Sequence, residues 1–252
     1  MNAPNNRALH TPRCALHVRG SNRLLASLPR DEYERVLPQM EKHSLCQGEI
    51  LHETGKPLCH AYFPLTAVLS VVVRMSDGES VEAATVGNEG MVGLPLFLGG
   101  QTSTNHVFAQ IAGEVMRMSR DVLREAIERS GAFPHLLGLY AQGYLTQVSQ
   151  SSACNRLHPV DQRLCRWILM THDRVGVDTL PLTQEFLATM LGVRRASVST
   201  AAAILQKAGF IEYERGIIHV IDRHGMERGA CECYSVVRCE LERLLCEPNA
   251  RS

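Results

Sequence analysis

The side chains best suited to chemistry in this sequence are its nine cysteines, four of which lie close together near the end of the chain. These four are Cys231, Cys233, Cys239 and Cys246, in the stretch "CECYSVVRCELERLLC". Thiolates at short spacing can bind a metal ion such as zinc. The residue types leave the role of each cysteine open, so the geometry of the segment decides whether they can share one ion.

Small and apolar residues in this segment recur at steps of three and four, which predicts one amphipathic helix. They are Met226, Ala230, Cys233, Val237, Leu241 and Leu244. On such a helix Cys231 and Cys239 stand ~12 Å apart along the axis, and Cys233 points to the far side. We therefore predict that no metal is bound here and interpret the cysteines as small packing residues.

A second candidate is the glycine-bearing turn from Leu94 to Phe108, "LPLFLGGQTSTNHVF". Phosphate-binding loops offer free backbone N–H groups, usually at a helix N-terminus and beside a lysine or arginine. Here the flanking segments are typical of strands, and no cationic residue lies between Val92 and Arg117. Whether this turn holds a phosphate therefore depends on what surrounds it.

The chain has 252 residues, enough for two modest domains that each bury a core. Lysine plus arginine and aspartate plus glutamate both number 26, so any nucleic-acid binding must come from a local patch. No apolar run approaches the ~18 residues needed to span a bilayer, and the first twenty residues contain no apolar signal core. We expect a cytoplasmic protein with a flexible tail over 1–20 and reduced thiols.

The region from His43 to Ser119 consists of short β-type segments separated by turn residues. Regular short strands without intervening helical patterns predict an antiparallel barrel or roll. Before it, "NRLLASLPRDEYERVLPQM" contains two short helical patterns, with Asp31 as the expected N-cap of the second.

A long helical pattern follows from Phe133 to Leu157. Its apolar stripe includes Leu137, Tyr140, Ala141, Tyr144 and Val148. At ~25 residues and ~37 Å this helix is too long for one small domain to cover, which favours packing against the same helix of a second copy. The alternative is a helix that lies entirely on its own roll. His158-Pro159 ends the pattern, and Val160 to Thr171 begins a new helix.

The most informative stretch is "LTQEFLATMLGVRRASVSTAAAILQKAGFIEYERGIIHVID". Thr183 is the expected cap of a helix that runs to Leu191, Gly192 supplies a tight turn, and a second helix begins at Arg195. Apolar residues at the matching positions of both helices predict a helix-turn-helix. The segment "FIEYERGIIHVI" predicts two short strands around Arg215-Gly216, a wing that follows the second helix.

The second helix separates a core face from an outer face. No acidic residue occurs from Phe186 to Ile211, whereas Arg194, Arg195 and Lys207 are positive, so the local cationic patch lies here. A solvated helix pair without a DNA role is the alternative. The predicted DNA-binding residues are Thr183, Arg194, Arg195, Ala196, Ser197, Ser199, Thr200 and Arg215.

With these motifs in this order, the chain resembles the Crp/Fnr superfamily of bacterial transcription regulators across nearly its whole length. The resemblance implies a β-roll sensor, a dimerising helix and a C-terminal winged helix. The family reads DNA through an Arg, a Glu and a second Arg on the recognition helix. Only the first matches here, at Arg195, because the other two positions hold Ala196 and Thr200. Arg195 can pair bidentately with a guanine.

The resemblance also bears on the glycine-bearing turn. Members that bind cyclic nucleotides carry a Glu for the ribose and an Arg followed by Ser or Thr for the phosphate, where this chain has Gly93, Ser103 and Thr104. A phosphate charge without a cation is costly to bury, so the resemblance implies a degenerate pocket. The cysteine cluster of oxygen-sensing members is absent, since Cys14, Cys46 and Cys59 are isolated. A lone His106 is interpreted as structural rather than as a haem ligand, and no cofactor is predicted.

The sequence thus predicts an α+β fold divided into five parts: a tail over 1–20, a sensor roll over 21–131, a dimerisation helix over 132–157, a winged helix-turn-helix over 158–224 and a C-terminal helix over 225–252. The predicted function is a homodimeric DNA-binding transcription regulator on an inverted-repeat operator, whose roll does not bind cyclic nucleotide. Expected partners are double-stranded DNA, a second copy of the chain and, as a candidate, RNA polymerase, but not a membrane.

Three alternatives to this function remain. The first is a regulator that does bind a cyclic nucleotide, through a rearranged pocket. The second is an enzyme, which is disfavoured because no nucleophile, base and orienting residue occur at recognisable spacing. The third is a regulatory subunit acting on a protein partner, which the complete helix-turn-helix disfavours.

Overall fold

The computed structural model describes residues 20–129 and 131–246. The predicted tail and Cys14 lie outside these residues, as does the side chain of Cys246. Within them the predicted α+β architecture is confirmed: antiparallel sheets, a long helix and a helical C-terminal domain follow one another along the chain. No described helix is both long enough and apolar enough to cross a membrane.

Two short helices and a 3₁₀ turn precede the strands. They are α1 (Arg23–Ala26), α2 (Arg30–Val36) and the turn Leu37–Gln39. The side chain of Asn22 caps α1 by accepting from the N–H of Leu25 at 3.0 Å. The prediction that Asp31 caps α2 is wrong, because Pro29 occupies the cap position and Asp31 lies inside the first turn, where its charge still suits the positive helix end.

The roll consists of seven strands in two antiparallel sheets. The strands are β1 (Glu41–Leu45), β2 (Ile50–His52), β3 (His60–Pro64), β4 (Val68–Arg74), β5 (Ser80–Val86), β6 (His106–Ile111) and β7 (Gly113–Ser119). One sheet has the order β1-β7-β3 and the other β2-β6-β4-β5. The two sheets enclose an apolar core that includes Leu45, Leu69, Val86, Val107 and Val115.

One segment of the roll is helical where strand was expected. Leu94–Phe97 forms the helical turn α3, and Gly93 precedes it with a φ of 111°, a left-handed value that glycine adopts without strain. Pro95 favours the turn because its fixed φ suits the first helical positions. The interpretation of this stretch as strand-flanked is therefore wrong at its start.

Three helices connect the roll to the C-terminal domain: α4 (Arg120–Glu128), α5 (Ala132–Leu157) and α6 (Val160–Val175). Helix α4 was not anticipated. The carboxylate of Glu32 accepts from the N–H groups of Ala132 and Phe133 at 2.7 and 2.9 Å, so a side chain of α2 satisfies the start of α5.

The predicted dimer stripe of α5 faces its own roll. Leu137 and Tyr140 are fully buried in the core that α1 and the roll share, and the phenol of Tyr140 donates to the carbonyl of Met91 at 2.9 Å. Ala141, Tyr144 and Val148 are half-buried at the edges of the roll cores. Because a side chain that is already buried adds no new area to an interface, this burial argues against Leu137 and Tyr140 as dimer contacts, and their assignment stays a prediction.

The C-terminal domain contains three strands and four helices after α6. They are β8 (Thr179–Pro181), α7 (Gln184–Leu191), α8 (Arg195–Lys207), β9 (Ile211–Glu214), β10 (Ile217–Val220), α9 (Arg223–Gly229) and α10 (Cys233–Cys246). The strands form a small antiparallel sheet of order β8-β10-β9. Helix α10 returns along α5, where Gly143 allows close approach: a Cβ there would lie 2.7 Å from a methyl of Leu241.

The prediction of one continuous helix from Met226 to Leu244 is wrong. Helix α9 ends at Gly229 and α10 begins at Cys233, so Cys231 lies in the connection between them. The distance argument against a shared ion assumed a single helix, and it fails here. Cys231 and Cys233 instead approach Cys154 and His158, which come from the end of α5 and from the α5–α6 corner.

A buried polar seam joins the two domains. Trp167, Thr171 and Arg174 lie on one face of α6 at steps of four and three. The indole of Trp167 donates to the Glu82 carboxylate at 2.6 Å, and Thr171 accepts from Gln110 at 3.2 Å. We call this contact between α6 and the four-stranded sheet the seam.

Glu82 is the centre of the seam. The hydroxyls of Ser70 and Thr85 also donate to its carboxylate, at 2.6 and 2.8 Å. Burial raises the pKa of Glu82, while these three donors and the nearby Arg166 oppose the rise. A buried carboxyl with three donors defines one orientation of α6 on the sheet.

We expect Trp167→Phe to lower the free energy of unfolding by ~1–3 kcal/mol, because a buried acceptor loses one donor. Urea denaturation followed by circular dichroism measures this change. In a Glu82→Leu background the same substitution should cost much less, since the acceptor is already absent. Equal costs in the two backgrounds would contradict the assigned hydrogen bond.

Candidate nucleic-acid interface

Local signals in the sequence position helices α7 and α8. Thr183 caps α7 by accepting from the N–H of Phe186 at 3.2 Å, and Gly192 ends it with a φ of 60°. The hydroxyl of Ser199 on α8 donates to the Gln184 side chain of α7 at 2.6 Å. The turn and this bond fix the two helices relative to each other.

The inner faces of α7 and α8 pack on an apolar core. It is formed by α6, α7, α8 and the small sheet, with Leu164, Ile168, Leu187, Leu191, Val198, Ala202, Leu205, Ile211 and Ile218 all buried. Helix α6 supplies both this core and the seam, and α7 adds a direct contact with the roll, where Phe186 packs edge-on against Phe108 of β6. The face of α8 opposite this core is therefore the one that remains available for a partner.

The outer face of α8 carries most of the residues predicted to contact DNA. Arg194, Arg195, Ala196 and Thr200 are exposed, while Ser197 and Ser199 are half-buried. Farther along the same helix Ala203, Ile204 and Lys207 are exposed as well, with Ile204 49% accessible. The structure thus brings the predicted residues of α8 to one surface.

The charge at the start of α8 is unusual for an isolated helix. Arg194 precedes the helix and Arg195 opens it, whereas the first turn contains no acidic residue. Positive side chains at the positive end of a helix each destabilise it by ~0.3–1 kcal/mol. Among the described residues neither arginine forms an ion pair. Folding alone does not explain two such charges, but a polyanion at this helix end would.

The wing lies beside the start of α7. Arg215 has a φ of 51° at the tip of the β9–β10 hairpin, and its exposed side chain pairs with Glu214 at 3.3 Å. A Cβ at Gly216 would lie 3.2 Å from a methyl of Thr183, so the wing tip contacts the cap of α7. The phenol of Tyr213 donates to the carbonyl of Leu182 at 2.7 Å, and burial raises its pKa to about 12.

Two of the three residues of the predicted degenerate pocket make structural contacts in the roll. Gly93 faces β3, where an added Cβ would lie 3.0 Å from the Cα of Ala61. The hydroxyl of Ser103 accepts from the N–H of Asn105 at 3.0 Å, and Thr104 is exposed. His106 is buried beneath them, and its pKa is lowered by burial.

A cavity of about 530 Å³ lies elsewhere, between the roll, α6 and α10. Arg174 and Glu89 line it and form an ion pair at 2.6 Å with both side chains largely buried. Arg174 also donates to the carbonyl of Thr85 at 3.0 Å. These residues were missed in the sequence, since nothing in their local pattern distinguishes them from solvated charges.

Comparison with protein families matches two parts of the chain. The model for the Crp-like helix-turn-helix domain matches residues 162–228, which include α7, α8 and the wing. The model for the cyclic nucleotide-binding domain matches residues 42–130, which include the roll. Among curated protein sequences no match was found.

Solved structures share the fold at low sequence identity. FixK2 from Bradyrhizobium japonicum is 18% identical with a TM-score of 0.66, and the match covers 76% of this chain and 98% of that one. The regulator CLP of Xanthomonas campestris, described as c-di-GMP responsive, is 15% identical with a TM-score of 0.63 and coverages of 77% and 100%. A CRP-family regulator from Thermus thermophilus is 19% identical with a TM-score of 0.62 and coverages of 76% and 96%.

Proposed function

Because the chain belongs to the Crp/Fnr superfamily of bacterial transcription regulators, we propose that it controls transcription as a homodimer bound to an inverted-repeat operator. The observation that carries this proposal is the exposed, cationic start of α8, which no described carboxylate neutralises. Phosphates supply that charge on double-stranded DNA, and the base edges of the major groove fit an α-helix.

The residues of the interface would have different roles. Arg195 opens α8 on its exposed face and reaches for a guanine, while Arg194 precedes the helix and contacts a phosphate. Ala196 and Thr200 offer only a methyl group and a hydroxyl, so the target differs from that of members with Glu and Arg there. Thr183, Ser197 and Ser199 support the pair, and Arg215 on the wing contacts the backbone.

The dimer would use the face of α5 that points away from the roll. The exposed residues there recur at steps of three and four: His135, Gly138, Gln142, Leu145, Ser149 and Ser152. Leu145 is 65% accessible, a large apolar side chain at the middle of this stripe. Small neighbours let two such helices approach closely, and the heptad-like spacing suits a parallel pair.

The remaining assignments follow from this arrangement. We propose the roll over 21–131 as sensor, the helix over 132–157 as dimer element, the winged helix-turn-helix over 158–224 as DNA reader and 225–252 as a C-terminal extension. RNA polymerase is the proposed further partner, in the cytoplasm where both would meet DNA. No catalytic role is proposed.

The roll is proposed not to bind cyclic nucleotide. In support, Gly93 is packed against β3 and Ser103 is bonded to its own loop, so neither replaces the missing charged groups. The alternative is a nucleotide-responsive regulator with a rearranged pocket. Arg174 and Arg223 line the cavity between the roll, α6 and α10, but each already pairs with a carboxylate, Glu89 and Asp173 respectively, so neither is a free cation for a phosphate.

We expect binding to depend on half-site spacing, because two-fold symmetry sets recognition helices ~34 Å apart. In-vitro selection from random DNA supplies the operator, and gel-shift titration measures its affinity. Lengthening the spacer between the two half-sites by half a helical turn should reduce the affinity to nearly that for a single half-site. DNA that contains only one half-site is the matched control. Unchanged affinity would reject dimeric docking.

Substitutions at the two adjacent arginines should differ in kind. Arg195→Ala should cost ~1–3 kcal/mol of binding free energy and relax the preference for one base at one position of the operator. Arg194→Ala should instead lower the affinity for all DNA sequences alike, and it should reduce by about one the slope of log affinity against log salt concentration. Affinities across a panel of single-base operator variants at several salt concentrations measure both effects. Identical base-preference profiles for the two variants would show that the roles are wrongly assigned.

Cyclic AMP and cyclic GMP should change neither thermal stability nor DNA affinity, because a ligand stabilises only by binding the folded state. Differential scanning fluorimetry at millimolar nucleotide measures thermal stability, and gel-shift titration measures DNA affinity. Cyclic di-GMP is tested in the same way as a third nucleotide. A rise of several degrees in Tm corresponds to ~1 kcal/mol for a domain of ~100 residues. Such a rise would favour the rearranged-pocket alternative.

A further inference from the structure

Four metal-ligating side chains meet where α5, α6 and the α9–α10 connection come together. They are Cys154 near the end of α5, His158 at the α5–α6 corner, Cys231 in the α9–α10 connection and Cys233 at the start of α10. Their ligand atoms all lie within 4.8 Å of one another. We call this set the Cys₃His cluster.

The spacing of the Cys₃His cluster matches a tetrahedral metal site. With Zn–S bonds of ~2.3 Å and Zn–N bonds of ~2.0–2.1 Å, ligand atoms at the corners of a tetrahedron lie ~3.6–3.8 Å apart. The Sγ atoms of Cys154 and Cys231 are 3.5 Å apart, and Cys233 Sγ lies 3.6 Å from Nδ1 of His158. Both distances are close to that requirement.

The packing interpretation of these cysteines does not fit their surroundings. Cys154, Cys231 and Cys233 are buried and form a small cluster of their own, separate from the apolar cores. Cys165 shows the contrast, because it lies in the core of the C-terminal domain and its thiol donates to the carbonyl of Met226 at 3.1 Å. Three thiols facing one another with an imidazole are better explained by a shared ligand.

The imidazole of His158 is oriented for coordination. Its Nδ1 faces Cys233, while its Nε2 lies 3.2 Å from a carboxylate oxygen of Glu232. A metal-bound histidine commonly donates its second N–H to a carboxylate, which fixes the ring and its tautomer. Glu232 is itself largely exposed, so its carboxylate is free of burial cost.

Two buried cations lie beside the place where such a site would carry a negative charge. Three thiolates and one Zn²⁺ give a net charge of −1. Arg163 and Arg166 are buried, both interact electrostatically with Cys154, and the Nε atom of each lacks a hydrogen-bond partner. No described carboxylate forms an ion pair with either arginine, although the buried Glu82 carboxylate interacts electrostatically with Arg166. A buried centre with a net charge of −1 beside them would compensate part of this positive charge.

We propose that Cys154, His158, Cys231 and Cys233 bind one structural zinc ion. Each thiolate and Nδ1 of His158 donates a lone pair to Zn²⁺, and the three thiol protons pass to solvent. With four protein ligands the ion has no open position, as in structural rather than catalytic sites. The ion joins the α5–α6 corner to the α9–α10 connection.

A disulfide and an iron–sulfur cluster are the two alternatives to a zinc site, and each requires a different arrangement of the thiols. A disulfide between Cys154 and Cys231 requires an S–S distance of ~2.05 Å and leaves Cys233 and His158 without a role. An iron–sulfur cluster places its thiolates on separate iron atoms, farther apart than one mononuclear ion does. The cytoplasmic setting proposed for the chain also favours reduced thiols.

The test is the metal content and coordination of the full-length protein purified without chelator. Inductively coupled plasma mass spectrometry should find one zinc per chain, and X-ray absorption should show three sulfur and one nitrogen ligand at the distances given above. Zinc-free protein, iron in place of zinc, or a Cys154–Cys231 disulfide in mass spectra of alkylated peptides would each overturn the proposal.

Variants locate the ligands. Cys154→Ser, Cys231→Ser, Cys233→Ser and His158→Ala should each lower the zinc content, whereas the matched controls Cys165→Ser and Cys239→Ser should retain one equivalent. Full zinc in a Cys231→Ser or Cys233→Ser variant would reject the assigned ligand set. A ligand variant that misfolds would also lose zinc. The X-ray absorption spectrum of the wild-type protein tests the same ligand set without a substitution, so it does not depend on how the variants fold.

Glu232→Gln tests the site without disturbing the fold, because this side chain is 72% accessible. The variant should keep one zinc but bind it ~10–100-fold more weakly, because the orienting carboxylate is lost. Competition with a chromophoric chelator measures the affinity. An unchanged affinity would show that the His158–Glu232 contact does not orient a metal ligand.

Discussion

The hydrogen bonds to the buried Glu82 carboxylate determine how the two halves of this molecule fit together. Strand β5 supplies the carboxylate, β4 and β5 supply two hydroxyl donors, and α6 supplies the indole of Trp167. An acceptor buried this deeply has to keep its donors, so α6 can lie on the sheet in only one way. Helix α6 also packs against the helix-turn-helix, which contacts the roll directly as well where Phe186 meets Phe108, so both contacts set the orientation of that motif.

Helix α6 therefore has two opposed functions. One face carries polar groups toward the roll, through Trp167, Thr171 and Arg174, while the other packs Leu164 and Ile168 into the core of the DNA-reading domain. A polar seam differs physically from an apolar one, since its groups can exchange protein partners for water at a small net cost. The contact also has an apolar part, since Val72 of β4 is buried in the core of the C-terminal domain and Phe108 of β6 packs against Phe186, so separating the two halves would expose core residues.

The local features of the fold could be predicted from the sequence because short-range chemistry determines them. The cap at Thr183, the turn at Gly192 and the strands of the roll all follow from residues close in the chain. The face of α5 could not be predicted, since an apolar stripe does not reveal whether the roll or a second copy covers it. Leu137 and Tyr140 proved to lie against the roll.

Contacts between residues far apart in the chain could not be predicted from the sequence either. The Cys₃His cluster joins residues separated by more than seventy positions, and no local spacing indicates that Cys154 meets Cys231. The break between α9 and α10 removed the geometric objection to a shared ion, but Gly229 and Ala230 within a helical pattern are weak evidence for a break. Glu82 was likewise indistinguishable from a solvated strand residue until its three donors were in place.

The return of α10 along α5 has a consequence for biosynthesis. Leu245 is buried in the same core as Leu24 and Leu25, and the Ser27 hydroxyl lies 3.4 Å from its carbonyl. The first helix and the last described turn of the chain therefore complete one core between them. During translation the roll strands emerge long before Leu245, so this part of the core stays open to solvent, and accessible to chaperones, until Leu245 has itself left the ribosome.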